Sequence, residues 1–152
     1  MPEDELANLA RIGMLDRVPF SVVLLQKMLA TAHTRLQDAQ RTSNSPETRF
    51  DCATTAIRAV ADAALHASGW RTSTSKPGHH KTTLQCLTHT LGVSAATVRV
   101  LDALRKQRNL SDYDGELVTD QALLECLQQA QALSLLAQQK LAPLMTKTAP
   151  GA

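Results

Sequence analysis

Apolar residues recur every three to four positions over long stretches of this chain. That period constrains the fold more than any other feature of the sequence. Between residues 19 and 41 the stripe is Val22, Leu25, Leu29, Ala32, Leu36 and Ala39, about six turns of amphipathic helix. A second stripe over 46–68 carries Phe50, Ala53, Ile57, Val60, Ala61, Ala64 and Leu65. A third, over 95–110, carries Ala95, Val98, Leu101 and Leu104. The last, over 118–141, carries Leu123, Leu124, Leu127, Ala130, Leu133, Leu136 and Ala137, with a glutamine-rich opposite face. Shorter helices are expected at 4–15 (Leu6, Leu9, Ile12, Leu15) and 79–91 (Leu84, Leu87, Leu91). Aromatic residues make up 3% of the chain, too few for the packing that sandwiches and barrels lean on. The pattern predicts an all-α, antiparallel four- to five-helix bundle. At 152 residues it has the size of one domain that can bury a core without a partner.

Local signals place the boundaries. Ser45 is a suitable N-cap, Pro46 fits the first helical position, and Glu47 sits in the first turn against the positive end of the dipole. Gly69 and Gly92 are expected stops, and Ser94 caps the helix that follows. Residues 70–78 read as a polar loop, and 109–115 break the helical pattern. The expected division is a short N-terminal helix and linker over 1–18, a bundle over 19–141, and a flexible tail over 142–152.

Sixteen Lys and Arg against fourteen Asp and Glu leave a net charge of +2, too mild to imply nucleic-acid binding by itself. The distribution says more. Arg99, Arg105, Lys106 and Arg108 face one acid, Asp102, within ten residues, whereas Asp112 to Glu125 holds five acids and no base. No apolar run approaches the ~18 residues of a membrane span. The acidic start, Met1-Pro2-Glu3-Asp4-Glu5, lacks the basic region and apolar core of a signal peptide, so a cytoplasmic location without membrane contact is expected. The cysteines (Cys52, Cys86, Cys126) are odd in number and form no CxxC or CxxH pair, which argues against a zinc site or disulfide framework. Cys52 and Cys126 lie in apolar helical patterns and read as small buried thiols. With no phosphate-cradling glycine loop, HExxH, GxSxG or EF-hand loop, no metal and no cofactor are expected.

The most unusual constellation runs from Arg105 to Gly115. Arg105, Arg108 and Asp112 recur at i, i+3 and i+7 along one helix face, with Asn109 one turn after Arg105. Leu101 and Leu104 adjoin that face, which puts Arg108 at a packing seam. An arginine there holds a phosphate bidentately or acts as an internal clamp on Asp112, Asp114 or a carboxylate of the 46–68 helix. Spacing alone favours the clamp. Glu47 and Asp51 share a face and are placed to meet Arg105 or Arg108 across the bundle as architectural ion pairs. Among the histidines, His33 and His66 read as structural or solvated. His79 and His80 open a helix just after a loop, where they serve as proton shuttles or merely end the loop.

Arg105-x-x-Arg108-Asn109-x-x-x-Tyr113, at the end of the penultimate helix, resembles the signature of HEPN domains: an Arg, often followed by Asn, then four to six residues and a His. The stretches Ser45-Pro46-Glu47-Thr48-Arg49-Phe50-Asp51 and Gly78-His79-His80-Lys81 to Leu91-Gly92 also resemble bacterial HEPN-like proteins, and the likeness spans about 19–141. The resemblance implies an α-helical bundle acting on RNA as a homodimer. It further implies a metal-independent endoribonuclease, often the toxin of a toxin–antitoxin or phage-defence locus with a minimal nucleotidyltransferase as antitoxin. By this likeness Arg108 holds the scissile phosphate, Asn109 orients the arginine or the RNA, and Arg105 and Lys106 bind the RNA backbone. Tyr113 stands where the motif has His, and an unperturbed phenol, with a pKa of about 10, is a poor base. Three outcomes follow: Tyr113 acts as an acid, His79 or His80 supplies the imidazole, or the domain is a non-catalytic adaptor binding RNA or a protein. Tyr113 is also the sole tyrosine that a nucleotidyltransferase partner could adenylylate.

Overall fold

The computed structural model describes residues 2–75, 77–114 and 118–146; the side chains of Pro2, residues 111–114 and Thr146 lie outside that description. The elements in chain order are α1 (Pro2–Arg11), β1 (Leu15–Arg17), α2 (Val22–Gln40), α3 (Pro46–Ala67), β2 (Trp70–Thr72), α4 (His79–Gln85), α5 (Leu87–Thr90), α6 (Ala95–Asp114) and α7 (Asp120–Thr146). The protein is mostly helical, as the apolar period requires.

α3 is the hub, packing against α2, α7, α6, α4, α5 and β2. Its sequence explains why: Ala53, Ala56, Ala61, Ala63 and Ala64 are all buried, and so many small side chains let several helices approach one backbone. Phe50, Ile57 and Val60 fill the space between, against Leu25, Ala32, Leu36 and Ala39 of α2 and Cys126, Ala130, Leu133 and Ala137 of α7. The turn over 41–45 folds α3 back along α2. There Ser45 Oγ accepts the Thr48 amide at 3.1 Å, with Pro46 at the first helical position, as its residue types require. Ser94 Oγ likewise accepts the Thr97 amide at 3.1 Å at the head of α6. We expect Ser45→Ala to cost about 1 kcal/mol, read as a lower urea midpoint with an unchanged m-value.

Several local expectations are corrected. The 4–15 helix ends at Arg11, because Gly13 turns the chain at φ +81°. Leu15 is then buried from a strand, while Ile12, expected on the apolar stripe, is 65% exposed. Part of the 70–78 loop is β2, antiparallel to β1 in the register Leu15↔Thr72, Asp16↔Arg71 and Arg17↔Trp70. The Arg17 guanidinium lies 4.6 Å from the centre of the Trp70 ring. This ribbon, with Leu6, Leu65 and Cys86, makes a second small core that ties residues 2–18 to the bundle.

α6 continues past Asn109 to Asp114, since nothing between Asn109 and Gly115 forbids helix. The 79–91 segment is two short helices with Cys86 between them. α7 passes through Pro143 to Thr146, beyond the expected end at 141, and Leu144 and Met145 pack on the core. The 147–152 part of the expected tail lies outside the described residues. All three cysteines are free and buried, and burial pushes the Cys86 and Cys126 thiols up to about 11 and about 12.

Candidate phosphate-binding cleft

A narrow cleft opens between α3, α4 and α6. α3 contributes Thr54, Thr55, Ile57 and Arg58; α4 gives His80 and Leu84; α6 gives Leu101, Leu104, Arg105, Arg108 and Asn109. The α6 residues follow at i, i+3, i+4, i+7 and i+8, so one helix face carries both the buried leucines and the polar cluster. Its inner volume is about 40 Å³, room for two or three waters, and it opens to solvent.

Two of the three arginines of the cleft, Arg105 and Arg108, are held by a carboxylate. Arg108 Nε donates to Asp51 Oδ1 at 2.5 Å, across 57 residues of sequence. Arg105 Nε donates to Asp102 Oδ1 at 2.9 Å, and Lys106 Nζ lies 3.4 Å from Asp102 Oδ2. Burial alone would raise the Asp102 pKa, but the hydrogen bonds and charges of Arg105 and Lys106 outweigh it and hold the carboxyl below its usual range. Arg58 faces Asp62 one turn along α3. There burial pushes the carboxyl pKa up, against the Arg58 charge, a Thr83 hydrogen bond and the His79 charge. None of these three carboxylates lines the cleft. The Arg105 and Arg108 guanidiniums therefore reach it already anchored, which lowers the entropy lost when they grip a ligand.

His80 completes the wall. Arg58 Nη1 lies 3.5 Å from His80 Nδ1, the outer limit of a hydrogen bond. Burial, first, and then the positive charges of Arg58, His79, Arg105 and Arg108 hold the His80 pKa below its ordinary 6.5, so the ring is neutral near pH 7. As pH falls below 6.5 the unfolded chain takes up the proton before the folded one, so the contribution of the neutral ring is complete above pH 6.5 and drains away below it. We expect the urea midpoint to fall between pH 7 and pH 5, and His80→Gln to flatten that dependence.

The remaining expected site residues fall elsewhere. His79 packs edge-on against His80, with ring centres 4.2 Å apart, but does not line the cleft. Lys106 is exposed and lines a separate groove with Lys81, Arg99 and Asp102, so of the two expected RNA-binding residues only Arg105 reaches the cleft. Asp51 makes the expected cross-bundle pair. Glu47 does not: it is exposed in the first turn of α3, a full turn before Asp51, and forms no ion pair among the described residues. Asp112 and Tyr113 lie in the last turn of α6, and their side chains lie outside the described residues. His66 is structural: it is buried, its Nε2 is 3.1 Å from the Ser21 amide at the head of α2, and its ring stacks on Phe20.

Sequence reasoning missed Arg58, Asp62, Thr54 and Thr55. A signal was present: Arg58 and Asp62 are the only charged residues between Asp51 and His66, set i, i+4 in an alanine-rich helix. Among the described residues no group of three His, Cys, Asp or Glu side chains is placed to hold a metal ion, and no helix is long and apolar enough to cross a membrane. No protein-family model matches this chain, and no curated protein matches it.

Proposed function

We propose that this cleft binds an RNA phosphodiester and cleaves it without a metal ion, as a HEPN-type endoribonuclease. The observation that carries the reading is the convergence of Arg58, Arg105 and Arg108 on one narrow cleft whose only imidazole, His80, is held neutral. Three guanidiniums suit the non-bridging phosphate oxygens and the charge that builds on them during attack. An entering phosphate draws Arg58 from His80 Nδ1 and frees that lone pair to take the ribose 2′-hydroxyl proton. The 2′-oxygen then bonds to phosphorus while the bond to the 5′-oxygen breaks, and the leaving oxygen takes a proton. Tyr113 is the candidate donor, and Asn109 orients the arginine or the ribose. The resemblance extends the proposal to the toxin of a toxin–antitoxin or phage-defence system, with a nucleotidyltransferase as antitoxin.

A second reading rests on the ion pairs. Because Arg105 and Arg108 each already hold an aspartate, the cluster also suits a non-catalytic adaptor that binds RNA or a protein partner. Incubating the protein with total RNA and tRNA in EDTA separates the two. Cleavage that is lost in Arg108→Ala supports the nuclease. RNA bound but not cut favours the adaptor, and neither binding nor cutting overturns the RNA assignment. In the nuclease case Tyr113→Phe tests the donor: a tenfold or greater loss of rate, about 1.4 kcal/mol, is expected if the phenol gives the proton.

A further inference from the structure

α7 carries two apolar-spaced seams on opposite faces. The inner one, Leu123, Cys126, Ala130, Leu133 and Ala137, is buried in the core. The outer one is Gln121, Leu124, Gln128, Gln131, Leu135 and Gln138, at alternating intervals of three and four, the spacing of a coiled-coil seam. All six residues are exposed, and Leu124 and Leu135 are each 57% accessible. Solvated helix faces normally carry charge. Here the only charged residue from Gln121 to Gln139 is Glu125, which lies off the seam.

The outer seam reads the same in both directions. Reversed about the midpoint between Gln129 and Ala130, Gln121 falls on Gln138, Leu124 on Leu135 and Gln128 on Gln131. A two-fold axis through that point would bring each residue opposite its own counterpart, the self-complementarity that an isologous contact needs. Leucine then meets leucine at two places. Glutamine, which both donates and accepts, meets glutamine at the centre and at the ends. Glu125 falls opposite Ser134, so no like charges oppose each other.

We infer that the outer face of α7 is a homodimer interface, with the two copies of α7 antiparallel and in this register. The inference stands independently of the nuclease reading, because none of the six residues lines the cleft. The HEPN resemblance implies a homodimer in which the two motifs meet, and the α7 pairing is a different contact. Contact over about 26 Å of helix belongs to the smallest specific interfaces, near 1,000 Å². The dimer is therefore expected to exchange, half assembled at about 10–100 µM.

Sedimentation velocity of the full chain over a wide concentration range tests it. The wild type should pass from monomer to dimer. Leu124→Glu/Leu135→Glu should weaken the dimer tenfold or more, with circular dichroism unchanged, and thermal melting unchanged at concentrations where the wild type is monomeric, because both side chains are exposed on the single chain. Gln128→Lys/Gln131→Glu tests direction: antiparallel pairing sets opposite charges face to face and keeps the dimer, whereas parallel pairing sets like charges together and dissolves it. A chain monomeric at every concentration overturns the proposal. So does a dimer indifferent to the leucine substitutions, or one lost in the lysine–glutamate variant.

Discussion

Replacing Arg108 with alanine is expected to remove RNA cleavage by a factor of about 100–1,000 while leaving the fold almost unchanged. The first figure follows from losing one pre-oriented donor at a phosphorus centre where charge develops, about 3–4 kcal/mol of barrier. The second follows from exposure. Asp51, its ion-pair partner, is half exposed and Arg108 about one-third exposed, so water solvates what the mutation leaves behind. Pairs of this kind are worth about 0–1 kcal/mol. Parallel measurements of RNA cleavage and urea midpoint decide between the clamp and the phosphate ligand. A clamp loses stability and leaves activity alone, whereas a phosphate ligand does the reverse. Arg108→Lys should recover only part of the rate, because an ammonium keeps the charge but not the two-pronged geometry.

Phe50→Ala is expected to be the most damaging single substitution for stability. Phe50 is 1% exposed and is the largest of the fully buried side chains in the described residues. Emptying that volume costs about 3–5 kcal/mol, because the neighbouring helices relax only in part. For a chain of this length the melting temperature should fall by roughly 6–20 °C. Phe20→Ala provides the contrast: its ring is 42% exposed, and the loss should stay below about 1 kcal/mol. Phe50 also precedes Asp51 directly, so loosening the start of α3 should disturb the hold on Arg108. A measurable drop in activity at temperatures where Phe50→Ala is still folded would show that link between core and cleft.

Half of the cleft was legible beforehand. Arg105, Arg108 and Asn109 share a face for a purely local reason, the helical period, and Asp51 met Arg108 across the bundle as its place in α3 suggested. His80 could not be separated from His79 by spacing, because adjacent residues at a helix start point in different directions that only the packing of α4 on α3 and α6 resolves. Arg58 stands out in sequence only as an isolated charge in an alanine-rich helix, and which neighbours its side of α3 meets depends on the packing of α4 and α6. Lys106 looked equal to Arg105 in sequence, yet one helical step turns it out of the cleft and onto Asp102.

Helix content, the capped starts of α3 and α6 and most of the buried face of each long helix are properties of residue order alone; Leu124 and Ala95, which the period places on the buried stripes, are exposed. These properties depend on interactions within a few positions: period, capping hydroxyls, and glycines that accept positive φ. The β1–β2 ribbon, the extension of α7 through Pro143, the choice of His80 and the convergence of three arginines were decided only by tertiary structure. Each joins residues far apart in the chain, such as Leu15 with Thr72 or Asp51 with Arg108, and no local period encodes which distant segments meet. The hub made by the alanines of α3 settles that, because only its small side chains let α2, α4, α6 and α7 gather around one helix.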